Sequence, residues 1–554
     1  MGGDMTNFFE RHRDLLERAV QAWRTREFWT PFPETPSTKL YGADARRDGH
    51  AAYEALLGAA FALPGHPEAA RLGSERSPWG QDLAIRYPVA PPEALIAASQ
   101  AAGATWGQAP MQARVGALIE ALIRLNRMSF LIGEATMHAT GQAFPMAFQA
   151  GGPHAQDRGL EAIAAAWIEM TATAQMALWE KPQGKSDPLV IEKQWHLVPR
   201  GVALAIGCNT FPTWNSYPGL FASLATGNTV MVKPHPQAIL PLALTVKVLR
   251  EVFAEAGLPQ DAVLLAVDAP GDEITKPLAR DPAVAIIDYT GSSGFADWLR
   301  EHATQAIVFT EETGVNPVTI TGTDDFEGMC ANLAFSLSLY SGQMCTSPQN
   351  IYIPRAGIAT DEGHKSFDAV VAGIVAAIDC LLADPQAAAA ICGTIVNPAT
   401  LEHVAAARHA GQVVRQSGET GAGRSATPLV VVIEGDGPGP QDDECFGPVS
   451  FVIPCEDAQD AIARASGIAA RKGAITAALY TQGPELIAPA AQAFAVAGVN
   501  LSVNLTGNIY VNQSAAFSDF HVTGANPAGN ASLTDTAFVA PRFRRVMIRW
   551  PKAA

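Results

Sequence analysis

From about residue 187 onward the chain alternates short apolar strands with helical segments, and that alternation leaves few folds open to it. Val202-Ala203-Leu204-Ala205-Ile206, Thr229-Val230-Met231-Val232 and Ala262-Val263-Leu264-Leu265 are apolar on both faces, with helical stretches such as 242–256 between them. A strand that is apolar on both faces must be covered on both, and an intervening helix returns the chain to begin a parallel neighbour. Residues 306–500 repeat the pattern, with strands expected near Phe309, Ile351, Val430 and Ala477. The expectation is an α/β protein of two doubly wound lobes, with ligands in the cleft at the carboxyl ends of the strands.

The flanks have a different texture. Helical periodicity governs 92–180, for example 111–127 and 160–179, and an amphipathic helix opens near Asn7 with Phe8, Leu15, Leu16, Val20 and Trp23 on one face. The last fifty residues are rich in Asn, Gly, Ser and aromatics, then basic at Arg542-Phe543-Arg544-Arg545. A chain of 554 residues exceeds one core and implies two or three domains. A net charge of −16 argues against nucleic-acid or anionic-membrane partners. No stretch reaches the roughly 20 uninterrupted apolar residues of a membrane span, and the N-terminus lacks a leader pattern. Seven cysteines without a CxxC pair fit neither a disulfide framework nor a structural zinc site. No metal is expected, and a reducing cytoplasm is the economical compartment.

The chemistry concentrates at Cys345, in Ser341-Gly342-Gln343-Met344-Cys345, and at Glu311, in Glu311-Glu312-Thr313-Gly314-Val315-Asn316-Pro317. A thiol and a carboxylate are the nucleophile and general base needed to make and break a covalent acyl-enzyme. Gly342 lets the backbone turn sharply and a substrate approach the thiol. Joined at this spacing, the two strings resemble the active site of the aldehyde dehydrogenase superfamily, and the resemblance runs in order over about residues 95–510. It implies two Rossmann-like lobes, cofactor-binding and catalytic, with a small oligomerisation element. The corresponding division is an N-terminal helical extension (1–44), a dinucleotide-binding domain (45–308, with 185–200 in an oligomerisation arm), a catalytic domain (309–505), and a C-terminal tail and oligomerisation segment (506–554).

Three strings resemble the family's cofactor site. Asn228-Thr229-Val230-Met231-Val232-Lys233-Pro234 is a strand ending in a lysine that can meet the adenosine ribose or a phosphate. Tyr289-Thr290-Gly291-Ser292-Ser293-Gly294 is a strand–turn opening a helix, whose amides and Ser292 hydroxyl can take a pyrophosphate. Glu444-Cys445-Phe446-Gly447-Pro448 resembles the element in which the glutamate binds the nicotinamide ribose and the phenylalanine flanks the ring. Relatives restricted to NAD usually carry a glutamate three residues after the lysine; here it is Pro236. Without that carboxylate a 2′-phosphate is not repelled, so NADP is the first expectation, with NAD also possible.

The oxyanion needs preorganised donors. One is expected to be the Cys345 amide and the other an asparagine after a strand, for which Asn209 and Asn215 compete in Gly207-Cys208-Asn209-Thr210-Phe211-Pro212-Thr213-Trp214-Asn215. Asn215 follows a tryptophan, as in the family, but leaves too little room before Gly227 for the helix that should follow. Asn209 is therefore expected to be the donor, and Asn215 to matter for packing.

The active-site strings and the tail Phe517-Ser518-Asp519-Phe520-His521-Val522-Thr523-Gly524 look like the PaaN branch of phenylacetate degradation, without its fused hydratase domain. That resemblance implies oxidation of a CoA-linked semialdehyde, in a homodimer or dimer of dimers. Three features depart from the family pattern: Glu312 beside the base, Asn350 where an arginine is common, and the absence of the usual Pro-Phe-Gly-Gly tail. Glu312 should point away from Glu311, as neighbours on a strand do. Competing readings are a CoA-acylating dehydrogenase, which would commonly lack the base, and a non-catalytic relative serving in binding. A thiol hydrolase is disfavoured because no histidine accompanies Cys345 in a recognisable motif.

Overall fold

The computed structural model describes residues 7–312, 314–434 and 437–552; Thr313, inside the Glu311 string, lies outside them. Two sheets dominate. The first runs in the order Val263–Leu265, Thr229–Lys233, Val202–Ile206, Val284–Gly291, Ile307–Glu312, and its ladders are parallel throughout. The second has seven strands, centred on Val449–Cys455, Pro348–Pro354, Asn316–Ile320 and Thr476–Tyr480, and is parallel except at its antiparallel edge Gln412–Arg415. Val202–Ile206, Thr229–Lys233, Asn316–Ile320, Pro348–Pro354 and Val449–Cys455 are buried at every position, which is why their sequences show no inside–outside alternation.

Four details differ from the sequence expectation. Phe309 lies on the last strand of the first sheet, not in the second lobe, so a boundary between 308 and 309 falls inside one strand. The change of sheet comes after Glu312, with Asn316–Ile320 already in the second. The helix expected over 160–179 runs instead over Pro153–Thr171, and Trp179 lies on the strand Met176–Gln183. Apolar residues there match a helical face, but their cross-strand pairing with Ser186–Pro199 wins. Finally, the N-terminal helix Asn7–Thr25 buries Phe9, His12, Leu16, Ala19 and Ala22, while Phe8, Leu15, Val20 and Trp23 pack at the margin. A buried polar contact shifts the face: His12 Nε2 lies 2.7 Å from the Glu120 carboxylate.

The strand Phe543–Pro551 joins Ser186–Pro199 and Met176–Gln183 in a three-stranded antiparallel sheet. It leaves Met176, Leu178, Leu189, Val546 and Ile548 exposed. Arg542, fully buried, anchors the start of that strand by pairing with Asp288 at 2.6 and 2.8 Å while its guanidinium lies over the Phe538 and Phe309 rings. Between the two sheets' contributions, residues 521–530 lie along the edge strand that carries Glu311. Asn530 Nδ2 donates to the Val308 carbonyl at 2.8 Å, the Thr310 amide donates to Asn530 Oδ1 at 2.8 Å, and the Glu312 amide donates to the Ala528 carbonyl at 2.6 Å. The tail thereby covers a sheet edge whose backbone groups would otherwise be unpaired.

Candidate active site

The thiol is held by an over-determined turn. Tyr340, Ser341 and Gly342 have φ of 51°, 51° and 64° in succession, and a Cβ at Gly342 would collide with the Gly447 carbonyl. Left-handed backbone at two non-glycine residues costs on the order of 1–3 kcal/mol each and persists only where surrounding bonds enforce it. Those bonds are present. Ser341 Oγ is within hydrogen-bond reach of the Cys392 and Ala426 carbonyls, Gln343 Nε2 donates to the Thr394 carbonyl, and Asn316 Nδ2 donates to the Cys345 and Ser347 carbonyls, both at 2.9 Å. Cys345 is left half-buried.

Glu311 is placed opposite by its strand. One carboxylate oxygen accepts from Asn215 Nδ2 at 2.9 Å, and the other lies 2.9 Å from His521 Nε2. The same His521 nitrogen is 3.8 Å from Cys345 Sγ. Burial alone would raise the Glu311 carboxyl, but the charge and hydrogen bond of His521, with bonds from Cys345 and Asn215, outweigh it and hold it below the ordinary glutamate value. Burial, and then the Glu311 charge, push the Cys345 thiol well above its usual range. The arrangement therefore pairs an ionised, buried base with a protonated nucleophile. Glu312 turns to the other face and meets Arg300 at 2.6 Å, as strand alternation requires.

Two residues have roles that the sequence did not reveal. Asn215, expected to serve packing, donates to the base itself, because the helix Pro212–Ala225, in the room expected after Asn209, carries Asn215 in its first turn. Asn209 remains in the loop between the strand Val202–Ile206 and that helix. His521 was visible only as part of a tail string. The histidine reaches Cys345 because the tail runs along the Glu311 strand, a pairing without a period-2 signal. Asn350, where an arginine is common, is buried and donates to the Gln441 carbonyl at 2.8 Å.

In the first lobe the cofactor strings lie at carboxyl strand ends, and in the second the string 444–448 leads into the strand Val449–Cys455. A cleft of about 710 Å³ is lined by Ser292, Arg300, Glu312, Glu444, Lys472 and Asn526, so the pyrophosphate and ribose candidates face one space. Ser292 is the N-cap of the helix Ser293–His302, following Gly291, the last residue of its strand, and a Cβ at Gly294 would meet nothing within 4 Å. Amide donors and open space at this turn fit a phosphate. Phe446 adjoins Glu444, its carbonyl 3.1 Å from His403 Nδ1. Lys233 is buried and its ammonium pairs with Asp268 at 2.7 Å. Pro236 sits beyond it, its carbonyl accepting from Ser74 Oγ at 3.3 Å. His235, between them, is half-buried and lowered to about 4, by desolvation first and the Lys233 charge second, so it is neutral near pH 7.

Comparison with known proteins identifies relatives of the chain. The crystal structure of an NAD-dependent aldehyde dehydrogenase from Burkholderia multivorans is 49% identical, with 100% of each chain covered and a TM-score of 0.96. A 1-pyrroline-5-carboxylate dehydrogenase from Bacillus subtilis is 25% identical over 411 residues, 71% of this chain and 74% of its own. A 1-pyrroline-5-carboxylate dehydrogenase from Thermus thermophilus, 19% identical, covers 95% and 99% of the two chains with a TM-score of 0.75 and shares the fold. The sequence profile of the aldehyde dehydrogenase family matches residues 77–524, a span that holds Cys345, Glu311, Asn215 and His521, and the chain belongs to that family.

Proposed function

We propose that the protein oxidises an aldehyde to a carboxylic acid through a thioester on Cys345. The observation that carries this reading is the convergence of the Cys345 thiol and the ionised Glu311 carboxylate on His521 Nε2, at 3.8 and 2.9 Å. The Cys345 sulfur loses its proton to the neighbouring carboxylate and adds to the aldehyde carbon. The oxyanion that forms takes donors from the Cys345 amide and from Asn209, since the Asn215 amide is already engaged at Glu311. Ser292 and Glu444, which line one cleft, would hold a nicotinamide dinucleotide, and that group would supply the hydride acceptor this adduct needs. After Glu311 releases that first proton to solvent, its carboxylate draws a proton from water, which attacks the thioester, and the proton passes to the departing sulfur to return the thiol. A base within reach of the thiol favours hydrolysis over transfer to coenzyme A, and retention of nucleophile and base together disfavours a non-catalytic role. The deciding experiment is reduced-cofactor production with a panel of aldehydes, with and without coenzyme A.

The substrate we propose is a CoA-linked semialdehyde of phenylacetate-type catabolism, on the strength of the strings at 341–346, 311–314 and 517–524. The panel should include 1-pyrroline-5-carboxylate, for which the Bacillus subtilis relative is named; preference for it would replace this substrate.

For the cofactor, the absence of a carboxylate at Pro236 admits NADP, but the Lys233 ammonium is offset by Asp268. A 2′-phosphate beside that pair gains little net attraction, and the 49% identical relative is NAD-dependent. NAD is therefore the preferred cofactor in this reading. A higher kcat/KM with NADP would restore the inference from Pro236. The exposed apolar sheet of 176–199 and 543–551 supports self-association into a homodimer or dimer of dimers, to be tested by sedimentation. Seven unpaired cysteines support a reducing cytoplasm.

A further inference from the structure

The described residues around the thiol contain one donor that two acceptors could use. His521 Nε2 lies 2.9 Å from Glu311 Oε1 and 3.8 Å from Cys345 Sγ. An ionised carboxylate only accepts hydrogen bonds, so the nitrogen facing it carries a proton. The ring is fixed in place: it is 2% exposed and stands edge-on to Trp214 with centroids 4.6 Å apart. Its Nδ1 is buried without a hydrogen-bond partner among the described residues. Such an investment of a buried polar group beside a nucleophile calls for a role, since an unpartnered ring nitrogen costs free energy.

We propose that His521 is a catalytic residue whose Nε2–H follows the negative charge from Glu311 to Cys345, stabilising the thiolate that attacks the substrate. The inference rests on the assignment of Cys345 as nucleophile and Glu311 as base. In the resting site the Nε2–H bonds the Glu311 carboxylate and the thiol is protonated. When the Sγ–H bond breaks, its proton joins a Glu311 oxygen, which then no longer needs the donor, and the charge now on sulfur does. The Nε2–H bond moves to Sγ, so no proton is gained or lost by the ring. Once the thioester forms, the sulfur is neutral. Glu311 releases its proton to solvent, the donor returns to it, and the carboxylate is restored for deacylation. A thiol held protonated by burial and by a neighbouring carboxylate requires such a donor at the moment of attack.

The titratable and charged groups around the ring are Glu311 on its strand, Cys345 with Cys208 and Glu444 acting on it, and Arg158 and Glu161 of the helix Pro153–Thr171 beyond Trp214 and Phe517. A test must therefore separate sulfur from carboxylate. Alkylation of Cys345 by iodoacetamide as a function of pH, in the cofactor-free full-length protein, reads the thiolate directly, with the Cys345→Ala variant subtracting other thiols. The His521→Ala variant should alkylate about 10-fold or more slowly at neutral pH, with its rise displaced to higher pH, and its pre-steady-state burst of reduced cofactor should slow by a similar factor. The His521→Gln variant, which keeps an N–H donor, should recover part of both. An alkylation profile in the His521→Ala variant identical to the parent's would overturn the proposal. So would a parent-like burst with slowed steady-state turnover alone, the pattern of a residue that serves only the activation of water. Where His521→Ala fails to fold, judged by melting and by quenching of tryptophan fluorescence on dinucleotide binding, His521→Gln and His521→Asn carry the same comparison. If Cys345→Ala keeps its activity, the nucleophile assignment itself fails; if that variant is inactive while the His521 variants match the parent, only the present inference fails.

Discussion

Replacing Asn215 with alanine should keep Glu311 protonated over more of the acid range without touching the nucleophile. In the structure its Nδ2 donates to a Glu311 oxygen at 2.9 Å in a pocket where both residues are buried. A hydrogen bond to a charged group contributes about 1.5–3 kcal/mol, so its loss raises the proton affinity of Glu311 by roughly 10–100-fold. The sign follows from the direction of the native shift. Glu311 is held below its ordinary value, so its carboxylate contributes stability that is present above the unfolded value and disappears as pH falls through the folded one. Without Asn215 that window narrows from the acid side, and the acid limb of the steady-state kcat profile moves toward neutral pH. The acid limb of the burst of reduced cofactor should move the same way, because the same carboxylate takes the Cys345 proton, while the burst rate on the plateau stays near the parent's. Stopped-flow absorbance at 340 nm across pH separates the two. An acid limb unchanged from the parent's, with turnover and melting temperature also unchanged, would show that the Asn215 bond does not tune the base and that the residue only packs.

Cys345→Ala should abolish dehydrogenase turnover while leaving dinucleotide binding and melting intact; more than a few percent residual activity discards the nucleophile. Glu311→Gln should slow the burst, because the Cys345 proton loses its acceptor, and then stall after one equivalent, because no base activates water; parent-like steady-state turnover would move the test to Glu312. Asn209→Ala should lower kcat by about 10²–10³, the usual loss for one oxyanion donor, and a parent-like rate would return the search to the Trp214-Asn215 string. Pro236→Glu should deepen discrimination against NADP by about 1–3 kcal/mol, and an unchanged NAD-to-NADP ratio would place residue 236 away from the ribose.

The parts of this molecule that could be read from sequence are those set by local chemistry. Buried parallel strands announce themselves as continuous apolar runs, and Val202–Ile206 and Thr229–Lys233 were legible for that reason. Cys345 and Glu311 were legible because each sits in a short string whose backbone demands are local, such as the left-handed Gly342 under the Gly447 carbonyl. The strand Ile307–Glu312 was assigned to the wrong lobe because periodicity says that a strand exists and nothing about which sheet accepts it. Trp179 looked helical because spaced apolar residues suit either period when the burial is one-sided and shallow; the whole of Met176–Gln183 is exposed.

What stayed hidden at the site was non-local. His521 lies 210 residues from Glu311 and 176 from Cys345, and it arrives through backbone pairing of a tail whose Asn526 and Asn530 side chains substitute for strand hydrogen bonds. Asn–Gly-rich sequence reads as loop, which the segment is; its value lies in which edge the loop covers. Asn215 illustrates the complementary limit. Counting residues back from Gly227 correctly left Asn209 in the strand-end loop, but the count assumed that only one asparagine could belong to the chemistry. A helix that starts at Pro212 presents Asn215 from its first turn toward the neighbouring strand's Glu311. The two asparagines then need not compete: Asn215 is bonded to the base, and Asn209 stands in the loop that precedes the helix, free for the proposed role of oxyanion donor.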